Sequence, residues 1–331
     1  MPVTLEYTHS DDQHGEIRLD DDTEIVSLEG IGITNIDLTP LSHLTRLKSL
    51  LLRDNQLVDI DLSPLHGLKN VEEIRIARNK LRALDTSVME SFPKLKVFSF
   101  AVNELSELDL SPLASCKSLE EIGLRGNQLS ELDLTPLGSC KDLVVISLHD
   151  NQLEEVDLSV LNGFSKFSTL YIQDNSLRVL NLPSSCESLF MLALQSNELT
   201  SIDLSPLDGC KKLSVLWLGN NKIQEIDLSP LASCSWLSNI DLEGNQLEHI
   251  DLAPLRLCEG LNTIILGKNK IEELDIFQLK GSKKLKEIVV DDALAMKFVE
   301  QHNYEALKDL QFIIKPYSQY KRWVDGMIGK K

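Results

Sequence analysis

Ten asparagines recur every 24 residues, at Asn55, Asn79, Asn103, Asn127, Asn151, Asn175, Asn197, Asn221, Asn245 and Asn269, with a single 22-residue step before Asn197. Each sits in the same pattern, L-x-x-L-x-L-x-x-N-x-L, as in Leu119, Ile122, Leu124, Asn127 and Leu129. A period of this length means that one short supersecondary unit is repeated, each copy burying its apolar side against its neighbours. The chain is therefore expected to be a solenoid. Its 331 residues form one array rather than two globular domains.

Within a turn, Val145, Ile146, Ser147, Leu148 and His149 alternate between the interior and the outside, the period of two that marks a strand. Strands repeated in the same sense stack as a parallel sheet and need a return segment, here most often Ile-Asp-Leu-Ser-Pro-Leu. The pairs Ser111-Pro112, Thr135-Pro136, Ser205-Pro206 and Ser229-Pro230 read as helix starts, with the hydroxyl accepting from an orphan amide and proline at the first helical position. Only about eight residues remain before the next strand, which predicts a 3-10 turn or a single α turn. Each asparagine amide donates and accepts at once, so the column of them is expected to bridge backbone groups of successive turns.

Cys116, Cys140, Cys210, Cys234 and Cys258 each lie seven residues after the aspartate of a return segment, and Cys186 fits once the short step is allowed for. Other turns place Leu44, Leu68, Phe92, Phe164 or Ser282 there, so the column faces the interior and the thiols are expected to be reduced core residues. The aspartates form a second column: Asp37, Asp61, Asp85, Asp109, Asp133, Asp157, Asp203, Asp227, Asp251 and Asp275. At the spacing of adjacent strands each pair would repel by about 0.8 kcal/mol in water. Backbone amides, serine hydroxyls or loosely held cations must offset that, and without such an offset the melting temperature should rise with sodium chloride. A calcium column is the alternative, but the glycine-rich nonapeptide that builds one is absent.

The blocks from Leu47 to Ile271 resemble leucine-rich repeats, and with a degenerate first turn around Ile31 and a last around Ala293 the resemblance covers about four fifths of the chain. The L-x-x-I-D-L return looks closest to the intracellular SDS22-like subclass, whose usual repeat is 22 residues against 24 here. The resemblance implies an α/β solenoid: a right-handed leucine-rich repeat horseshoe with a parallel sheet on its concave face and short 3-10 or single-turn helices on its convex face. It also implies a role in protein recognition, without naming a partner.

The expected layout is an N-terminal cap at 1–22, a repeat array of about twelve turns at 23–293, a C-terminal helix and strand cap at 294–315, and a basic aromatic tail at 316–331. Val3 to Tyr7 would lie as a covering strand at one end. At the other, Asp291 and Asp292 start a helix with Leu294, Phe298 and Val299 on one side, and Leu310, Phe312 and Ile314 alternate as a last strand. The tail carries Tyr317, Tyr320 and Trp323 among Lys321, Arg322, Lys330 and Lys331, and its charge beside an acidic body predicts that it folds back onto the last turns. The shortened return between Leu177 and Asn197 is expected to kink the outer wall.

A net charge of −18 opposes docking along a phosphate backbone, so nucleic acid is not expected as a partner. No run approaches about 18 apolar residues and the start lacks a secretory profile, which together with the thiols predicts a cytoplasmic chain without membrane insertion. There is no G-x-S-x-G, H-E-x-x-H, phosphate loop or nucleotide fingerprint, so no catalysis, metal or cofactor is expected.

Recognition should be written in the outward sheet positions, which the repeat leaves open. Two, four and six residues before the asparagines, Val145, His149, Tyr171, Gln173, Met191, Gln195, Val215 and Trp217 form an apolar, aromatic area with a polar rim, the composition of a binding hot spot. Arg53, Arg75, Arg78 and Arg125 form a secondary basic cluster, suited to an acidic segment or a phosphate, or simply a solvated face. The expected function is a non-catalytic, monomeric scaffold binding a protein partner. The alternatives are a regulatory subunit of an enzyme such as a phosphatase or small GTPase, and a surface adhesin, which a row of free thiols disfavours.

Overall fold

The computed structural model describes residues 2–185, 187–301, 310 and 312–328. The chain falls into two compact units, Met1–Phe167 and Ser168–Lys331. In the first, β1 (Val3–His9), β2 (His14–Leu19), β3 (Ile25–Ser27) and β4 (Ile33–Ile36) precede β5 (Ser49–Leu51), β6 (Glu73–Arg75), β7 (Val97–Ser99), β8 (Glu121–Gly123) and β9 (Val145–Ser147). The second holds β10 (Thr169–Tyr171), β11 (Met191–Ala193), β12 (Val215–Trp217), β13 (Asn239–Asp241), β14 (Thr263–Ile265), β15 (Glu287–Val290), helix α1 (Asp292–Gln301), β16 (Ile313–Pro316) and helix α2 (Tyr317–Ile328). Strands β3 and β5 to β9 pair in parallel in the first unit, and β10 to β16 do so in the second.

Successive strands stay in register because each repeat inserts a constant number of residues. Leu51, Arg75, Ser99 and Gly123 stand side by side, as do Tyr171, Ala193, Trp217 and Asp241. The 22-residue step does not break this register: Thr169 still pairs with Met191, so the missing residues come out of the return. Among the described residues no 3-10 turn lies between β10 and β11. Elsewhere the returns are 3-10 turns of three to five residues, such as Ser111–Ser115 and Ser229–Ser233.

The asparagine column is a hydrogen-bonded ladder. Asn127 Nδ2 donates to Leu124 O in its own turn at 2.9 Å and to Phe100 O in the preceding turn at 3.1 Å, while its Oδ1 accepts from Leu105 N at 3.1 Å. Asn79, Asn103, Asn221 and Asn245 repeat the arrangement. The residue before each asparagine bends the chain through a left-handed conformation, among them Asp54, Asp150, Asn220 and Gly126. Val102 occupies this position with φ 55°, where a β-branched side chain is strained. Val102→Gly is expected to stabilise the fold by about 1 kcal/mol, the relief of strain exceeding the extra entropy of the unfolded chain. Urea titration of the two proteins checks this, and a lower midpoint for the variant contradicts it.

The return segments are capped differently from the sequence expectation. The aspartate, not the serine or threonine, accepts the orphan amide: Asp109 Oδ1 from Ser111 N at 2.8 Å, and likewise Asp37, Asp61, Asp85, Asp133, Asp157, Asp203, Asp227 and Asp251 two residues ahead of their partners. The hydroxyls of Ser111, Ser205 and Ser229 instead donate back to the second carboxylate oxygen. The carboxylate reaches the amide two residues on, and Leu113 N, which the Ser111 hydroxyl would cap, already donates to Leu110 O, so the hydroxyl turns back to the carboxylate. The serine amide and then its side chain hold Asp85, Asp109, Asp157 and Asp227 below the usual carboxylate range; for Asp37 and Asp133 the threonine side chain leads and its amide follows. Repulsion between neighbours enters only as the smallest influence, from Asp133 on Asp109 and Asp157.

Cys116, Cys140, Cys210, Cys234 and Cys258 are free and buried, as their column requires. Burial pushes the thiols of Cys116, Cys234 and Cys258 up to about 12. Cys116, Cys140, Cys234 and Cys258 donate to carbonyls 27 residues back, a sulfur ladder on the return side that complements the asparagine ladder. Cys186, Lys330 and Lys331 lie outside the described residues, as do the side chains of Val299 and Trp323.

The ends differ from the array. Val3–His9, expected as a covering strand, forms a hairpin with β2 and pairs antiparallel with β4 in a separate three-stranded sheet. At the other end Leu294, Ala295 and Phe298 bury one side of α1. Phe312 is buried, but the last strand begins one residue later, with Ile313 exposed and Ile314 half-buried.

Candidate functional site

The second unit brings six of the eight residues singled out by sequence onto one face of its sheet. Tyr171 and Trp217 occupy one column on either side of Ala193, two strand spacings or about 9–10 Å apart. Ala193 has 0% exposure although it belongs to the outward column, so the larger neighbours close over it. Met191 and Val215 are directly paired alongside. Tyr171, Met191, Val215 and Trp217 are each half-buried, a contiguous apolar strip rather than a cavity. Next to it Gln173 and Gln195 bury the Oε1 of their amides, and neither oxygen has a hydrogen-bond partner among the described residues. Buried acceptors without donors are uncommon in native folds and mark a place where polar demand is unmet.

Val145 and His149 belong to the first unit. Both are half-buried, with His149 Nδ1 3.1 Å from Ser147 Oγ and Val145 paired with Glu121. The first unit also holds the four arginines around a cavity of about 330 Å³.

The outward column does not stay open to the end. Ile265 and Val289, which continue the outward column of Tyr171, Trp217 and Asp241, are 9% and 0% exposed because Tyr317, at the start of α2, packs on them with Tyr320 beside it. The tail segment is thus a helix whose first turn lies on the sheet face of the last turns. Ser318 N donates to Asp292 Oδ1 at 2.9 Å, Tyr317 Oη donates to Glu243 Oε1 at 3.2 Å, and Lys268 Nζ lies 5.0 Å from the centre of the Tyr317 ring. The start of the tail thus folds back onto the last turns, as its charge beside an acidic body predicted; which outward residues it covers was not legible, since nothing in the repeat encodes the path of a non-repeated segment. Gly267 stands in the flanking column that also carries Arg125, Gln173, Gln195 and Gly219, and a Cβ there would sit 2.2 Å from Tyr317 Cδ2.

This end of the sheet has unusual electrostatics. Asp241 neighbours Trp217 in register, and burial pushes its carboxyl up to about 6 against the opposing hydrogen bond from Glu243 N. Burial, followed by the nearby carboxylates, pushes Tyr317 and Tyr320 up to about 12. Among the described residues no group of three His, Cys, Asp or Glu side chains is arranged to hold a metal ion, and no helix is long and apolar enough to cross a membrane.

These features define a leucine-rich-repeat solenoid: in-register parallel strands, an asparagine ladder and short 3-10 returns. The family model described as leucine rich repeat matches residues 69–129 and 187–247. A search of curated proteins finds no match. Among solved structures, an internalin from Listeria monocytogenes is 21% identical with a TM-score of 0.61, covering 90% of this chain and 83% of its own. A leucine-rich-repeat protein of Leptospira interrogans is 20% identical with a TM-score of 0.68, over 84% of this chain and 74% of its own. A plant peptide hormone receptor, solved in complex with the hormone RGF2, is 20% identical with a TM-score of 0.69, over 76% of this chain and 40% of the receptor. At these identities the likeness is one of fold.

Proposed function

We propose that this chain is a non-catalytic binding module that receives a protein partner on the open sheet face of its second unit. The observation that carries the reading is the strip of Tyr171, Met191, Val215 and Trp217, closed over Ala193 and flanked by the unsatisfied amide oxygens of Gln173 and Gln195. Large rings supply contact area at low entropic cost, and the polar amides beside them give the strip its rim. Val145 and His149 belong to the first unit and are proposed separately, as contact residues on that unit's own sheet face. The plant receptor, which shares the fold, was solved with a peptide hormone, which supports a recognition role without indicating the partner here.

A cytoplasmic, monomeric protein of the SDS22-like subclass remains part of this proposal, and five reduced, buried thiols support the reducing compartment. Affinity capture from the native cell tests the site. Tyr171→Ala combined with Trp217→Ala is expected to weaken recovery of the partner at least about tenfold. Unchanged recovery removes the proposed surface.

A further inference from the structure

The first unit carries a recessed surface, on different residues from the strip and with different chemistry. Ala77 and Ala101 occupy the flanking column between Arg53 and Arg125, which stand three strand spacings or about 14 Å apart. Two small residues between two long cationic ones leave a notch. Ser99, Gly123 and Ser147 in the adjacent column deepen it, and Arg78 and Val102 rim it, giving the cavity of about 330 Å³.

The charges around this notch are unevenly matched. Arg75 is engaged by Glu73 and Glu121. Arg53 and Arg78 share a single carboxylate, Asp54, at 3.0 and 3.6 Å. Arg125 is half-buried, and its guanidinium is paired with no carboxylate among the described residues. Of the remaining acidic lining residues, Glu121 is taken by Arg75 and Glu29 is exposed at the rim. Arg53, Arg78 and Arg125 therefore bring three positive charges against Asp54 and Glu29, a local excess on a chain of net charge −18.

Gly123 adds a steric argument. It lies within β8 at an ordinary strand conformation, so the backbone does not require glycine there. Glycine in a strand interior weakens it and commonly marks a place where something approaches the backbone closely. A Cβ at this position would also crowd Ser99 Oγ at 3.0 Å.

We propose that this notch is an oxyanion site that binds a phosphomonoester, held by Arg125 and by the partly compensated Arg53 and Arg78 over the floor of Ser99 and Gly123. Guanidiniums lining one notch from three stems suit the three terminal oxygens of a phosphoryl group better than the two of a carboxylate. The site is independent of the strip at Tyr171 and Trp217.

Calorimetric titration of the whole chain at fixed ionic strength tests it, with inorganic phosphate, O-phosphoserine and aspartate as probes. Saturable binding of phosphate or phosphoserine is expected, with aspartate at least tenfold weaker. Tighter binding of phosphoserine than of phosphate would identify a phosphorylated side chain as the source, and equal binding a free phosphate. Arg125→Gln should weaken binding at least tenfold. Gly123→Val should do the same by filling the floor while leaving every charge in place, and Trp217→Ala should leave binding unchanged. Absence of saturable binding, aspartate binding as well as phosphate, or full binding by both Arg125→Gln and Gly123→Val would overturn the proposal.

Discussion

Asn127→Ala is expected to lower the stability of the fold by about 3 kcal/mol, a larger effect than a single polar substitution on a protein surface produces. The reason lies in how the ladder shares its partners. Phe100 O accepts from Asn127 but also from Asn103, and Leu124 O accepts from Asn127 but also from Asn151, so each carbonyl keeps one donor after the substitution. Leu105 N has no such reserve, because Asn127 Oδ1 is its acceptor. A buried N–H left without a partner costs about 1–3 kcal/mol, and the two lost donations add about 1 kcal/mol each at most. Asn127→Asp should do no better at neutral pH, since it keeps the acceptor but sets a carboxylate against two carbonyl oxygens. Urea unfolding of the full chain measures both. A loss below about 1 kcal/mol for Asn127→Ala would mean that water replaces the amide and the ladder is not cooperative.

The second large effect concerns Asp241 and depends on pH. Its carboxyl is displaced upward from the ordinary 3.8 to about 6, so between those values the folded state holds a proton that the unfolded state has released. Stability from this group is therefore full below about pH 4, falls as pH rises, and is lost above about pH 6. The displacement corresponds to about 3 kcal/mol as an order of magnitude. Asp241→Asn retains an acceptor for Glu243 N and removes the buried charge. The variant should match the parent near pH 4 and exceed it by about 2–3 kcal/mol at pH 7.5. Comparing parent and variant at each pH cancels the titration of the other carboxylates. A difference that does not change with pH would show that Asp241 is already solvated in the folded chain.

Much of the architecture was legible in the sequence because a repeated residue in a stack has a repeated environment. The thiol column could be assigned to the interior from its exchange with Leu44, Leu68 and Phe92, and all five described cysteines are buried. The asparagine role followed from the donor and acceptor on a single amide. Capping was misread at the return segments, where Asp109 accepts from Ser111 N while the Ser111 hydroxyl, expected as an acceptor, donates to the same carboxylate. The outward column was read correctly as a file but not as a surface. From Ile265 onward it is covered by Tyr317, which belongs to no repeat.

The sequence by itself determined which residues share a file, because the constant repeat length keeps successive strands in register and carries each side chain to the same place in the next turn. Tertiary structure alone decided which parts of those files are free. The docking of α2 over Ile265 and Val289, the uncompensated Arg125 beside Ala101, and the elevated carboxyl of Asp241 all depend on long side chains and a non-repeated helix meeting across space, and no periodicity along the chain records such meetings.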